Sequence, residues 1–165
     1  MPISGTSSDY TGRQIDLELL QSIAAPAGSQ QMSLTTVSPE AKIVAGVEKV
    51  VQRYAMLFLT PLGDMTYDTS QGSAFIKQLL RGTIQDRSAL QTYFATSNDA
   101  VLQQMKSDDA MVGTYGEQPL DEQIDTAYLL DFDIDFATAT VMLRIELTTK
   151  AGTSVAFLLP ATTVG

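Results

Sequence analysis

Apolar and polar residues alternate in two stretches of this sequence, residues 128–136 and 141–147. A period of two is typical of β-strands that bury one face. A tight turn at Ala137-Thr138 would pair Ile134 with Val141, Phe132 with Leu143, Leu130 with Ile145 and Asp131 with Arg144. Because the apolar sides coincide in this register, we expect an antiparallel hairpin with one buried face.

A third strand is predicted after a second turn at 150–152, where Gly152 can adopt a positive φ. Its alternating apolar positions are Val155, Phe157 and Leu159. Pairing Leu147 with Val155 keeps the faces in phase, and Pro160 is expected to end the strand. The result is a three-stranded antiparallel meander whose apolar face must be covered by helices.

Upstream, apolar residues recur at three- and four-residue spacing from Ile43 to Phe58, which is typical of an amphipathic helix. Ser38 as N-cap and Pro39 at the first helical position predict that this helix begins near residue 39.

Two further helices follow in the sequence. Residues 73–80 predict a short one, Asp86 can cap another, and residues 107–124 are expected to form a long acidic loop. The pattern predicts an α+β fold in which helices pack on the C-terminal three-stranded antiparallel meander.

The chain is expected to divide into an extended N-terminal arm, 1–38, and a single α+β domain, 39–165. The first 38 residues are rich in Ser, Thr, Gly and Gln, and within them residues 15–20 favour a short helix or strand. A disordered tail and an arm that orders on a neighbour both fit this composition.

No apolar run reaches the roughly 18 residues of a membrane span, and no secretory signal is recognisable, so we expect assembly in a cytoplasm.

Composition excludes several chemistries. The chain has no Cys and no His, which leaves no disulfide, thiol nucleophile, Cys/His metal site or His-based triad. The net charge of −9 argues against nucleic acid and anionic membrane surfaces as partners. Residues 107–136 contain nine acidic side chains and no Lys or Arg.

The acidic residues are candidates for a metal or catalytic site. Asp131, Asp133 and Asp135 share one side of a predicted strand, and Asp121, Glu122 and Asp125 precede them. The glycine turn and closing Glu of a calcium loop are missing, no motif fixes a carboxylate pair, and no phosphate-binding glycine pattern occurs. A solvated acidic face that limits indiscriminate strand pairing and attracts a basic partner is the favoured interpretation, with no metal or cofactor.

The order of these parts resembles a known family. A helix runs into Leu57-Phe58-Leu59-Thr60-Pro61-Leu62-Gly63 and on to Gly72, a short helix follows, and Asp121-Glu122-Gln123-Ile124 precedes three strands. Over about residues 40–160 this is similar to the sheath initiators of contractile phage tail baseplates, which have relatives in type VI secretion baseplates. Many members carry Glu-Pro-Arg before the first strand, whereas this chain has no Arg there.

The resemblance implies a structural, non-enzymatic protein of the virion tail baseplate, present in six copies. Its expected partners are tail sheath subunits, baseplate wedge proteins and, as a further neighbour, the tail tube. Sheath arms would add strands to the edge Val155–Leu159, or to the edge 128–136 as second choice, and a proline at Phe157 is expected to remove a donor from the first. The implied partner-binding residues are Val155, Phe157, Leu159, Asp121, Glu122, Asp131, Asp133 and Asp135.

Three other functions remain open at this point. Some members of the family have been labelled lysozyme-like, which suggests a peptidoglycan hydrolase. A generic tail or capsid accessory protein would have the same α+β build, and a cation-binding module would use the acidic residues.

Overall fold

The computed structural model describes residues 13, 16–17, 20–24, 30–34, 43–135 and 140–162. The strands in these ranges are β1 (Asp16–Leu17), β2 (Leu20–Ala24), β3 (Gln30–Leu34), β4 (Ile43–Val44), β5 (Ile124–Asp135), β6 (Thr140–Thr149) and β7 (Ser154–Thr162). The helices are α1 (Val47–Leu59), α2 (Phe75–Leu80) and α3 (Arg87–Gly113), with a 3₁₀ turn at Leu120–Glu122.

The main sheet has five strands in the order β2-β3-β7-β6-β5. Strands β5, β6 and β7 form an antiparallel meander, which confirms the α+β prediction. Two strands from the N-terminal 38 residues extend this sheet: β3 runs parallel to β7, and β2 pairs antiparallel with β3. Strands β1 and β4 form a separate two-stranded ladder.

Counted from the turn, the register of the first hairpin is confirmed from Ile134 back to Asp131, and beyond Asp131 it departs from the prediction. The pairs Ile134–Val141, Phe132–Leu143 and Asp131–Arg144 are present. A shift between Leu129 and Asp131 then places Leu129 opposite Ile145, where Leu130 was expected. The bulge changes which face of the sheet the side chains of residues 127–130 occupy. Tyr128 and Leu130 are therefore 59% and 47% exposed, while Ala127 is buried. The turn at Ala137-Thr138 lies outside the described residues.

The third strand pairs as predicted but runs further. Leu147 lies opposite Val155, and Gly152 has a φ of 80° in the turn. The prediction that Pro160 ends the strand is wrong, because β7 continues to Thr162 and Pro160 pairs with Met142.

Helices α1 and α3 cover one face of the sheet, where α1 lies against β6 and β7 and α3 against β5. The core between them contains an aromatic group in which the Phe58 ring lies 5.1 Å from Phe75 and 5.4 Å from Phe94. On the inward side of β6 and β7, the side chains of Leu143, Ile145 and Phe157 have no exposed surface. No helix within the described ranges is long and apolar enough to cross a membrane.

Helix boundaries differ from the sequence prediction in two places. The first helix begins at Val47, because Ile43 and Val44 pair with β1 and Gly46 turns the chain with a φ of 63°. Ser38 and Pro39 lie outside the described residues. The predicted acidic loop 107–124 is also shorter than expected, since α3 continues to Gly113. Asp86 caps α3 as predicted, accepting a hydrogen bond from Ala89 N at 2.7 Å.

Candidate functional site

The outer edge of β7 can be located from the turn that precedes it. Thr149 N donates to Thr153 O at 3.0 Å, so this pair is hydrogen-bonded across the two strands. Hydrogen-bonded and non-hydrogen-bonded pairs alternate in an antiparallel ladder. The backbones of Val155, Phe157 and Leu159 therefore face β6, whereas those of Ser154, Ala156, Leu158 and Pro160 face outward.

This alternation corrects the role expected for Phe157. Its side chain is fully buried in the core, and its N–H lies on the β6 side of the strand. A proline at Phe157 would break the ladder between β6 and β7. Leu158 is the neighbouring position whose N–H faces the outer edge. Pro160 also faces outward, which is where a strand accommodates a proline without losing a ladder bond.

The outer edge of β7 is regular. Its described pairing with β6 runs without a register shift from Thr140–Thr162 to Thr148–Ser154. Strand β3 lies beside this edge, with Gln30 opposite Phe157 and Gln31 opposite Leu158. This side of β7 therefore has the geometry to pair with a strand, and β3 occupies it at Phe157 and Leu158. The prediction that Val155–Leu159 is an edge strand is wrong, because β7 lies between β3 and β6 in the sheet.

The other meander edge, β5, is irregular and is occupied by side chains. Register shifts interrupt it between Ile124 and Thr126 and again between Leu129 and Asp131. Ile124 N donates to Asp109 Oδ2 at 3.2 Å, and Asn98 Nδ2 donates to the Ala127 carbonyl at 3.0 Å. Both side chains come from α3 and engage backbone groups that an added strand would need.

The second half of β5 has a similar obstruction. Phe132 N donates to Oδ1 of the adjacent Asp131 at 2.8 Å. Asp131, Asp133 and Asp135 are exposed along this strand. Bulges, side-chain caps and exposed charges are the means by which sheet edges resist pairing. The structure thus distinguishes the two edges that the sequence left as first and second choice.

The acidic residues before β5 lie apart from the exposed aspartates of the strand. The Glu122 side chain has no exposed surface, and its two oxygens lie 3.8 Å from Arg13 Nη1 and 3.8 Å from Lys49 Nζ. Gly46 N donates to the same carboxylate at 3.4 Å. Asp121 accepts a hydrogen bond from Arg13 Nη1 at 2.8 Å, and this contact raises the pKa of the Arg13 guanidinium further above its usual range.

A second, partly buried ion pair lies between α1 and α3. Arg53 Nη1 donates to Asp109 Oδ1 at 2.7 Å, and Arg53 Nη2 lies 3.5 Å from Asp108 Oδ2. The two Asp109 oxygens thus hold α1 and the start of β5 in place at once. Within the described ranges, no group of three or more His, Cys, Asp or Glu residues is arranged to hold a metal ion.

Asn98 and Asp109 are the residues that sequence reasoning missed. Both are buried on α3, in line with Phe94, Val101 and Met105 on its apolar face. A polar residue at helical spacing within an apolar stripe signals a buried hydrogen bond. That signal was present in the sequence, although it does not reveal which backbone groups the side chains bind.

Comparison with known proteins gives no match to a family model, to a curated protein or to a solved structure. The geometry of the sheet edges is therefore the basis for a function.

Proposed function

We propose that this protein is a structural component of a contractile tail baseplate that initiates the sheath. In this role it presents the outer edge of β7 to an extended arm of a tail sheath subunit, which adds to the sheet as a further strand. Backbone hydrogen bonds would supply the affinity, and the alternating side chains of the added strand would set its register.

The observation that carries this proposal is the difference between the two meander edges. The β5 edge is interrupted by two register shifts and capped by Asp109 and Asn98. The β7 edge is regular and already has a strand, β3, paired with it. An edge that accepts a strand within its own chain has the shape and backbone orientation to accept one from a partner.

Docking on wedge proteins is proposed for the exposed acidic surface of β5. Asp131 and Asp133 are exposed there, and a basic partner surface would complement them. Glu122, by contrast, is enclosed by Lys49 and Arg13 and contributes to the fold of this region.

The proposal is tested with Leu158→Pro, which removes an outward-facing N–H from the β7 edge while leaving the bonds to β6. Pro160 occupies the equivalent outward position two residues on, so the strand tolerates the ring. Purified variant and baseplate partners are mixed with the cognate sheath subunit, and the tubes are counted by negative-stain electron microscopy. We expect baseplate particles to form normally and sheath tubes to be lost from them.

Leu158→Ala is the matched control, because it removes the same side chain but keeps the backbone donor. It should nucleate sheath tubes as the unchanged protein does. Normal numbers of tubes on Leu158→Pro particles would exclude the β7 edge as the nucleation site. Melting curves of both variants confirm that each is folded.

A further inference from the structure

The N-terminal segment is attached to the rest of the molecule at separate points. Asp16 and Leu17 in β1 pair with Val44 and Ile43 in β4. Arg13 binds Asp121 at 2.8 Å next to this ladder. Further along the chain, the hairpin of β2 and β3 lies on the β7 edge.

The pairing of β3 with β7 is short in comparison with the rest of the sheet. Among the described residues, two pairs join them, Gln30–Phe157 and Gln31–Leu158. Five pairs join β2 to β3, and β6 pairs with β7 along the whole of β7. The β3–β7 ladder is also parallel, which is slightly less stable per residue than an antiparallel one. It is therefore the ladder of this sheet that separates most readily.

Departure of the N-terminal segment would leave the buried charges paired. If Arg13 moved away, Glu122 would keep Lys49 at 3.8 Å and the N–H of Gly46 at 3.4 Å. The Asp121 carboxylate, whose side chain is 31% exposed, would be hydrated. The Arg13–Asp121 ion pair therefore lies at the surface. Ion pairs of this kind contribute little to stability and weaken as the salt concentration rises.

We propose that the hairpin of β2 and β3 is a displaceable cover of the β7 edge, which the incoming sheath arm replaces. The inference rests on the proposed function, since it names the regulation of the same edge. While β3 is in place, the outward N–H group of Leu158 is shielded from unspecific strand partners. A sheath arm that pairs along more of β7 than β3 does would displace the cover, so that strand addition and opening occur together.

A disulfide lock tests this inference on the full chain, which has no cysteine of its own. Gln31→Cys/Leu158→Cys joins β3 to β7 at paired residues. Neighbouring strands lie about 4.8 Å apart, within the Cα separation that a disulfide spans. Gln21→Cys/Ser33→Cys is the matched control, because these residues pair within the hairpin and leave β7 free. Residue 158 keeps its backbone N–H in the first variant, because cysteine has the same backbone donor as leucine. Reduction of the disulfide reverses both locks.

The first readout is independent of any sheath protein. Hydrogen exchange at the amide of residue 158, which faces β3, should slow at least about tenfold when the β3–β7 lock is oxidised. The amide of Phe157, which faces β6, and both amides in the control lock should exchange as before. Failure of the lock to form, or unchanged exchange at residue 158 once it has formed, would overturn the proposal.

The second readout is the count of sheath tubes on baseplate particles. We expect the oxidised β3–β7 lock to abolish nucleation, and both its reduction and the oxidised control lock to support it. Full nucleation by the oxidised β3–β7 lock would overturn displacement of the cover. If exchange slows in the lock but neither the reduced variant nor the unchanged protein nucleates sheath, the cover stands and the sheath-initiator function is wrong.

Discussion

Tyr54 is a polar residue at the centre of the core, where helices and sheet meet. Its ring stacks 5.7 Å from Phe58 and meets Phe157 edge-on at 6.1 Å. Its hydroxyl donates to Asn98 Oδ1 at 2.7 Å, and Asn98 Nδ2 donates to the Ala127 carbonyl at 3.0 Å. A single chain of hydrogen bonds therefore runs from α1 through α3 to β5, and it fixes the amide orientation that caps the β5 edge.

Removing the hydroxyl should destabilise the fold without emptying the core. Tyr54→Phe keeps the ring but leaves the buried Asn98 oxygen without its donor, so we expect the free energy of unfolding to fall by about 1–2 kcal/mol. Urea denaturation measures the change. Tyr115→Phe, at a side chain that is 89% exposed, is the control and should leave stability unchanged. Equal stability of the two variants would show that the Tyr54–Asn98 bond contributes nothing.

At the scale of elements, periodicity predicted the three strands of the meander and much of their pairing, but not β2 and β3, which extend the sheet from the segment expected to be an extended arm. The alternation of apolar residues in β6 and β7 was sufficient for the register, because a slip of one residue would expose every core side chain. The bulge in β5 had no such signal. Tyr128, Leu129 and Leu130 are all apolar or aromatic, so the pattern there is compatible with either face. Likewise, Ile43 and Val44 continue a helical spacing, and their pairing with β1 is a long-range contact that local pattern does not report.

The connection from α1 to α2 depends on Gly72. Its φ is 105°, and a Cβ there would lie 2.5 Å from the Thr60 carbonyl oxygen. Gln104 holds the same residue from α3, accepting from Gly72 N at 3.0 Å and donating to its carbonyl at 2.9 Å. Close backbone approach and a positive φ both require glycine at this position.

Two alanine substitutions separate these requirements. Gly82 also has a positive φ, 66°, but a Cβ there would meet nothing within 4 Å. Gly82→Ala should therefore cost about 1 kcal/mol for the left-handed conformation alone. Gly72→Ala adds a clash with backbone and should cost at least about 1 kcal/mol more. Thermal or urea unfolding of the two variants gives the comparison, and similar losses would mean that the loop shifts to accommodate the methyl group.

At the scale of the whole molecule, acidic residues of the segment 107–136 form ion pairs with arginines that are distant in sequence. Asp109 binds Arg53, which is 56 residues away, and Asp121 binds Arg13, which is 108 residues away. The sequence predicted a solvated acidic face for the carboxylates of residues 121–135, because they match no metal-binding pattern. That interpretation holds for Asp131 and Asp133, which are exposed. It does not hold for Glu122, which is buried. Asp109 is buried as well, and the partners of both carboxylates are brought to them by the packing of α1 and the N-terminal segment.

Alkaline pH should unfold the whole molecule, because Tyr54 is buried in its protonated form. Burial raises the pKa of its phenol above the usual range, so the native state keeps the proton where an unfolded chain would lose it. Below about pH 10 both states are protonated, and the contribution to stability is fully present. As pH rises further, the unfolded state loses the proton first, and stability should fall by up to about 1.4 kcal/mol per pH unit from this residue alone. Urea denaturation at a series of pH values measures the slope.

Tyr54→Phe provides the comparison, because it lacks the proton that the native state retains. Its stability should decline less steeply above about pH 10 than that of the unchanged protein, whatever the offset between them at neutral pH. Because Tyr54 lies between both helices and the sheet, its ionisation requires these layers to separate. The phenolate absorbance of this one residue should therefore develop together with the loss of helical circular dichroism. Ionisation of Tyr54 in a chain that keeps its full helical signal would mean that the core opens locally, without separation of the layers.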